Sequence, residues 1–348
     1  MEEIKIVDII IPAYNHKIEL ERALDSIVSQ TKRDKCIVTV IDDCSEENLF
    51  EVVKEYKNKL KIKYIRNKEN LKYPGLVRQV GIDNTISPFI IFLDSDDMLS
   101  PTAVEMANSE MLKTNADMII GYFYSQEKGG LYHLRDEHDT TWLHGNVYRR
   151  SFLEKNNIRF SSGYNEDGAF NTQCYLLAEN IAILPAIMSY WLDCGTSLTR
   201  EGNNFCLRHS NDVVSTLRDA YENIIERIGY TPSVLFNFGN HLGLFYKIGN
   251  EIDELIANGT GVLSNSVPEK FWKEIESICS LFNKQENKLD WDKIKDGFMT
   301  AYLKYQDGSL KMPINDFFEV CQFSKYINIS LSEITNFAKE YYNENNNG

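Results

Sequence analysis

Several features are scarce or missing in this 348-residue sequence. It has no apolar run of the roughly 20 residues that a membrane-spanning helix needs. Its seven cysteines are an odd set without C-x-x-C spacing, which argues against a disulfide framework or a zinc site and is typical of reduced thiols in a cytoplasmic protein. Basic residues number 37 against 51 acidic ones, and a net charge of −14 argues against a general electrostatic grip on nucleic acid or anionic lipid.

Glycine-rich nucleotide motifs are missing as well. No G-x-G-x-x-G follows the first predicted strand and no P-loop occurs, which argues against dinucleotide binding and against a P-loop NTPase. The remaining composition, 43% apolar and 25% charged, is that of an ordinary globular protein, and the length predicts two domains.

Strand and helix patterns alternate in the first 200 residues. Strands are predicted at Ile4–Ile11, Cys36–Ile41, Ile62–Ile65, Phe89–Leu93, Asp117–Ser125 and Gly145–Tyr148. Helices are predicted at Ile18–Gln30, Glu46–Tyr56 (with Ser45 as N-cap), Leu76–Asn84, Pro101–Lys113 and Gly168–Leu177. Strands separated by short helices imply parallel pairing, so we expect an α/β fold with a doubly wound, mostly parallel sheet.

The pattern changes after about residue 200, where only helical periodicity remains. Helices are predicted at Val213–Ile228, Ser233–Ile256, Glu269–Phe282, Trp291–Tyr305, Asp316–Tyr326 and Ser330–Tyr342. We therefore expect a catalytic domain at 1–203, a helical domain at 204–342 and a polar, disordered tail at 343–348.

The most informative segment is the apolar run Phe89–Leu93, which ends in the carboxylates of Asp94, Asp96 and Asp97. A buried strand that delivers acidic side chains at its carboxyl end is how open α/β sheets build ligand sites. Such oxygen ligands suit Mg²⁺ or Mn²⁺ held together with substrate phosphates. The alternative is an acidic turn followed by a helix cap, where aspartate is also favoured.

Other segments add specificity to this motif. They are Ile9-Ile10-Ile11-Pro12-Ala13-Tyr14-Asn15, Val40-Ile41-Asp42-Asp43-Cys44-Ser45, the set Asn70, Arg78 and Gly81, Glu166-Asp167-Gly168-Ala169-Phe170, and Tyr190-Trp191 followed by Ser197-Leu198-Thr199. With Leu93-Asp94-Ser95-Asp96-Asp97, their order and spacing resemble the family 2 inverting nucleotide-sugar glycosyltransferases of GT-A fold. The resemblance covers roughly residues 4–200. It departs from the family at Cys44 and Lys72, where glycine is usual, and at Gln79, where asparagine is usual.

The resemblance implies a function and a set of site residues. The expected reaction moves a sugar from a UDP-sugar to a saccharide, a lipid-linked saccharide or a glycopolymer, with Mn²⁺ or Mg²⁺ neutralising the leaving diphosphate. Asp96 and Asp94 would hold the metal. The donor would contact Pro12, Tyr14, Asp42, Arg78, Asp94 and Ser95. Asp167 would be the catalytic base, with Glu166 positioning it or contacting the acceptor, and Trp142 and His144 would line the acceptor pocket.

Alternatives remain at the level of sequence. Glu166 and Asp167 could serve only to favour a helix N-terminus. The fold could also belong to a nucleotidyltransferase, although the Pro12–His16 turn has no glycine, or to a non-catalytic nucleotide-sugar-binding or scaffold protein. We expect a cytoplasmic protein that does not bind nucleic acid, and the sequence is compatible with peripheral contact at the inner face of the membrane. Its C-terminal helices are compatible with a homo-oligomer.

Overall fold

The computed structural model describes residues 6–136, 142–194, 205–229, 231–258 and 267–282. The chain divides into two compact units after Arg200. The domain boundary predicted at residue 203 falls within 195–204, outside the described residues.

The first unit is an α/β structure built on one sheet. Its strands are β1 (Val7–Ala13), β2 (Cys36–Asp42), β3 (Ile62–Arg66), β4 (Phe89–Phe92), β5 (Met98–Leu99), β6 (Met118–Gln126), β7 (Tyr132–Arg135), β8 (Val147–Arg149) and β9 (Ile181–Trp191). Its helices are α1 (Lys17–Val28), α2 (Leu49–Tyr56), α3 (Pro74–Asp83), α4 (Ala103–Thr114), α5 (Arg150–Lys155) and α6 (Glu166–Leu177).

The sheet is parallel on one side and mixed on the other. The order of its described strands is β3-β2-β1-β4-β8-β6-β9-β5, and β7 pairs with β6. Strands β3, β2, β1 and β4 are mutually parallel, as predicted. Beyond β4, β8 runs antiparallel to both of its neighbours, and β5 and β7 are antiparallel to β9 and β6.

Several elements differ from the predictions. Helix α2 begins at Leu49 instead of Glu46, and Ser45 is not its N-cap, because the Ser45 side chain and backbone are used in hydrogen bonds to the preceding loops. Strands β5, β7 and β9 were not predicted, and the burial of β9 does not alternate regularly. Its pairing with β6 is irregular between Leu184 and Ile187, on either side of the exposed Pro185.

Strand β1 alternates its side chains between the two faces of the sheet. Ile9 and Ile11 belong to a fully buried aliphatic core that includes residues of α1, α2 and α4. Ile10 faces α3, where an added Cβ on Gly81 would lie only 2.3 Å from Ile10 Cγ2. Gly81 therefore permits the close approach of α3 to the sheet, which brings the residues of α3 next to the strand ends.

Aromatic side chains fill the space beside α6. Phe92, the last residue of β4, makes edge contacts with Phe160 and Phe170 at ring-centroid distances of 5.4 and 5.8 Å. Phe160 and Phe170 stack at 4.1 Å. Because buried aromatic pairs contribute packing as well as large apolar area, this cluster holds the start of α6 against the end of β4.

The described residues of the second unit contain helices only. They are α7 (Phe205–Arg208), α8 (Ser210–Ile228), α9 (Pro232–Ala257) and α10 (Val267–Phe282). Phe238 and Phe282 stack at 3.7 Å in their core, beside the buried Tyr221. The helices predicted after residue 283 and the tail at 343–348 lie outside the described residues. In the part of the chain that is described, no helix is long and apolar enough to cross a membrane.

Candidate active site

The carboxyl ends of β2, β1 and β4 lie side by side and carry most of the predicted site residues. Ala13 of β1 pairs with Asp42 of β2, and Ile10 of β1 pairs with Phe92 of β4. Beyond these positions, Asp43 N donates to Ala13 O at 2.8 Å. Parallel strands deliver their carboxyl ends to one edge of the sheet, where open α/β folds bind ligands.

Asp42 is fully buried at this edge and is held by internal partners. Its Oδ1 accepts from Ser45 N at 2.8 Å, and its Oδ2 accepts from Arg66 Nη1 at 2.5 Å and from the Tyr64 hydroxyl. Burial alone would raise the pKa of Asp42, but the hydrogen bonds from Ser45, Tyr64 and Arg66 lower it below 3.8. The carboxylate is therefore ionised, and Arg66 lies against it.

The turns after β1 and β2 are tied together. Asn15 N donates to Ser45 Oγ at 2.8 Å, and Asn15 Oδ1 accepts from Glu46 N at 2.9 Å. Pro12 precedes Ala13, the last paired residue of β1, and Tyr14 follows it and is 45% exposed. An exposed aromatic ring next to a buried carboxylate is a suitable wall for a planar base.

Two of the departures from the family coincide with left-handed backbone. Cys44 has φ 64° and Lys72 has φ 70°. Glycine adopts this conformation without steric cost, whereas for other residues it is unfavourable in free energy. The loops therefore keep a glycine-like conformation although their side chains differ.

Arg78 joins three carboxylates from distant parts of the chain. Its Nη2 donates to Asp94 Oδ1 at 2.6 Å, and its Nη1 donates to Glu166 Oε1 and Asp167 Oδ1 at 2.9 Å each. Asp94 follows β4, whereas Glu166 and Asp167 form the first turn of α6. The structure thus brings together four of the residues predicted from sequence, which we call the Arg78 array: Arg78, Asp94, Glu166 and Asp167.

The three carboxyl groups of the Arg78 array differ in pKa, and so in how readily they ionise. Burial, reinforced by Asp167, raises the pKa of Glu166 to about 7 although Arg78 opposes it. Burial also raises the pKa of Asp167, against the effect of Arg78. The pKa of Asp94 is lowered, because Arg78 and His144 outweigh the effect of burial. Asp94 is therefore the most strongly ionised member.

A second acidic group adjoins the array. His144 Nε2 lies 2.9 Å from Asp97 Oδ2, and Asp97 Oδ1 accepts from Leu192 N at 2.8 Å. Burial raises the pKa of Asp97 to about 6 against the effect of His144. Although burial would lower it, the hydrogen bond with Asp97 raises the pKa of His144.

Among the described residues, one group could hold a metal ion: Asp94, Asp97 and His144, with one ligand atom of each within 4.8 Å of the others. Carboxylate and imidazole donors fit Mn²⁺, whereas Mg²⁺ prefers oxygen. The buried His144 Nδ1 makes no hydrogen bond. The donor set therefore fits a divalent cation.

The predicted metal ligand Asp96 lies outside this group. Its Oδ2 accepts from the Cys194 thiol at 2.9 Å, and its backbone oxygen accepts from Arg22 Nη2 at 2.6 Å. Ser95 is buried between Asp94 and Asp96. The Asp94–Asp97 loop is thus held by α1 on one side and by the segment after β9 on the other.

Trp142 and His144 belong to an aromatic cluster next to the Asp94–Asp97 loop. The Trp142 and Trp191 rings lie 4.9 Å apart, and His144 stacks on Phe123 at 5.1 Å. Of the two residues predicted to line an acceptor pocket, His144 is also engaged with Asp97.

Sequence reasoning missed several members of the site. Tyr64 and Arg66, which bind Asp42, lie in the middle and at the end of the short strand β3, and the only signal for them was the predicted strand itself. Cys194, which binds Asp96, lies in a segment without a motif. Asp97 was identified among the carboxylates after Phe89–Leu93, but its pairing with His144 joins residues 47 positions apart.

The chain is similar to known proteins. A model of glycosyl transferase family 2 matches residues 8–166. Glycosyltransferase GlyA of Streptococcus pneumoniae serotype 4 is 25% identical over 311 residues, which are 80% of this chain and 42% of GlyA. Poly(ribitol-phosphate) beta-N-acetylglucosaminyltransferase TarP of Staphylococcus aureus is 28% identical over 203 residues, which are 51% of this chain and 60% of TarP.

The fold is also found in a solved structure. The crystal structure of S. aureus TarS 1-349 in complex with UDP-GlcNAc matches with a TM-score of 0.64 at 18% identity, over 93% of this chain and 92% of that one. This likeness confirms the predicted α/β fold of GT-A type with C-terminal helices. By sequence, however, the match covers only 42% of GlyA and 38% of full-length TarS.

Proposed function

The chain belongs to glycosyl transferase family 2, and from this premise we propose that it transfers a sugar from a UDP-sugar to a saccharide or glycopolymer acceptor, with inversion and with a divalent metal. The proposal depends chiefly on the Arg78 array, in which a carboxylate at a strand end and an acidic helix start meet on one buried guanidinium. A purely structural acidic turn has no need of three carboxylates drawn from two separate segments of the chain.

The relatives support a UDP-sugar donor. TarS and TarP are named as N-acetylglucosaminyltransferases that act on poly(ribitol-phosphate), and TarS has been crystallised with UDP-GlcNAc. In the present chain, Asp42 ends β2 beside Pro12 and the exposed Tyr14. Asp42, Pro12 and Tyr14 are proposed to hold the uracil base. Arg66, which is paired with Asp42, lies next to this position.

Asp167 is proposed as the catalytic base. Inverting transfer needs a carboxylate that takes the acceptor hydroxyl's proton from the face opposite the leaving group. The side chain of Asp167 is 25% exposed, so it can reach a ligand, whereas that of Glu166 is 10% exposed. The raised pKa of Asp167 strengthens it as a base, provided that it is ionised at the working pH.

Glu166 is proposed to assist Asp167 instead of replacing it. With a pKa raised to about 7 by burial and by Asp167, its carboxyl group carries a proton part of the time at neutral pH. When Glu166 is neutral, the positive charge of Arg78 is balanced by the carboxylates of Asp94 and Asp167.

A divalent metal would be held by Asp94 with Asp97 and His144, or with Asp96 after it releases Cys194. When bound, such an ion neutralises the charge that develops on the leaving diphosphate. The residues of this chain perform the other tasks. Asp94 fixes the loop against Arg78, and Arg22 fixes the same loop from α1 through the backbone oxygen of Asp96.

UDP release measures the proposed activity directly. Purified protein is incubated with a panel of UDP-sugars, UDP-GlcNAc first, with Mn²⁺, Mg²⁺ or excess EDTA. We expect UDP release with one or more donors in Mn²⁺ or Mg²⁺ and its loss in EDTA. Because a ligand that binds the folded state raises its melting temperature, thermal shift with UDP and Mn²⁺ identifies donor binding without an acceptor.

The two readouts separate the alternatives. Thermal stabilisation by UDP without turnover of any donor on any saccharide acceptor would favour a non-catalytic nucleotide-sugar-binding protein. Full activity in excess EDTA would contradict the metal requirement. A product that keeps the donor's anomeric configuration would contradict inversion.

A further inference from the structure

Arg78 is placed to connect the two halves of the site. Its side chain is only 4% exposed, yet both N–H groups of Nη1 and one of Nη2 are used on carboxylates. Its Nε is buried and makes no hydrogen bond. The guanidinium also lies over the Phe160 ring, with 6.0 Å from Cζ to the ring centroid. Its position is therefore fixed from several sides.

The helix that carries Arg78 is fitted to the start of α6. Gly75 lies one turn before Arg78 on α3, and an added Cβ there would stand 2.7 Å from Glu166 Cγ and 2.8 Å from Glu166 Cβ. Tyr73, at the N-cap of α3, makes an edge contact with Tyr164 at 5.3 Å. Helix α3 thus meets the Tyr164–Asp167 segment at two levels.

We propose that Arg78 is a positioning residue that fixes the carboxylate of Asp167 relative to Asp94, so that base and donor site keep one geometry. This inference rests on the proposed function. A guanidinium can do this because its planar fork offers several donors in fixed directions, which a lysine ammonium does not. The competing role is direct binding of the donor, as the sequence resemblance implies.

The two roles predict different kinetic effects. A positioning residue acts on the reacting geometry, so its loss lowers kcat and leaves UDP affinity nearly unchanged. A donor ligand contributes to UDP binding, so its loss weakens UDP affinity by a comparable factor.

The experiment uses the full chain and the UDP-sugar that the wild type turns over. Variants R78Q, R78K and G75A are compared for kcat, KM and melting temperature, and their affinity for UDP with Mn²⁺ is measured by calorimetry. We expect R78Q to lower kcat by a factor on the order of 10² with UDP affinity within about threefold of wild type. R78K should recover part of kcat, because one ion pair can be restored.

G75A tests the same inference without changing Arg78 or any charge. It should displace Glu166, and with it Asp167, and lower kcat about tenfold at unchanged UDP affinity. R159Q is the matched control. Arg159 also pairs with a carboxylate of α3, Asp83, at 2.9 Å, but both partners are about half exposed. It should leave kcat and UDP affinity at wild-type values.

The outcomes are distinguishable. Loss of UDP affinity in R78Q equal to its loss of kcat would overturn the inference in favour of a donor contact. Full activity of R78K and G75A alongside an R78Q protein that does not fold would reduce Arg78 to a stabilising residue and also overturn it. Absence of turnover by the wild type would refute the proposed function itself, and the inference with it.

Discussion

The buried carboxyl group of Glu166 gives the protein a specific dependence of stability on pH. Burial, together with Asp167, raises its pKa from 4.5 to about 7 although Arg78 opposes the shift. The folded protein therefore retains a proton that the unfolded chain releases above pH 4.5. The displacement from 4.5 to about 7, at about 1.4 kcal/mol per pH unit, corresponds to about 3 kcal/mol of the free energy of unfolding. This contribution is fully present below pH 4.5 and is lost as the pH rises to about 7.

Glu166→Gln mimics the protonated acid and should therefore remove the fall in the free energy of unfolding between pH 4.5 and about 7. Urea denaturation of wild type and variant between about pH 4.5 and 8.5 measures it, and the variant should gain about 3 kcal/mol on wild type across that range. The control is Glu179→Gln at the surface, where Lys155 lowers the pKa of the carboxyl group. In that variant the free energy of unfolding should fall with rising pH as it does in wild type. A constant difference between Glu166→Gln and wild type would mean that Glu166 is not protonated in the folded protein, and would refute the reasoning.

Two further predictions concern the loops of the site. Because Cys44 and Lys72 have positive φ, Cys44→Gly and Lys72→Gly should leave the free energy of unfolding unchanged or raise it by up to about 1 kcal/mol. Lys54→Gly, inside α2, should instead cost about 1 kcal/mol, and equal losses in urea denaturation would contradict the assignment. For Asp42, burial by itself would raise the pKa, but hydrogen bonds from its neighbours lower it below 3.8. Its stabilisation is therefore present above pH 3.8 and lost in acid, so the difference between wild type and Asp42→Asn should shrink when urea denaturation is moved from pH 7 to pH 3. A difference that stays constant would show that the Asp42 carboxylate is not selectively stabilised.

The strand ends could be predicted from the sequence because they depend on local pattern. The apolar run Phe89–Leu93 followed by carboxylates, and the matching end of β2 at Asp42, are short-range signals that tertiary contacts did not override. The parallel half of the sheet follows from the same alternation of strand and helix. Strand β9 escaped prediction because Pro185 interrupts it and its pairing with β6 is irregular there.

The contacts of the site were harder to predict than its residues. Asp94, Asp167 and Arg78 were all identified, but their meeting depends on how α3 packs on the sheet, which Gly81 permits through its close approach to Ile10. Asp167 lies in the first turn of α6, where the helix dipole by itself favours an ionised carboxylate. In the folded protein burial outweighs this effect and raises the pKa, which sequence position alone does not reveal.

The most direct test of the account is the turnover of the UDP-sugar by Asp167→Asn relative to wild type, measured with saturating donor and metal. The substitution nearly preserves shape and removes the proton acceptor, so we predict that kcat falls by a factor on the order of 10² or more. UDP affinity, measured on the same protein, should stay close to that of wild type. Turnover within a few-fold of wild type would contradict the assignment of Asp167 as the base.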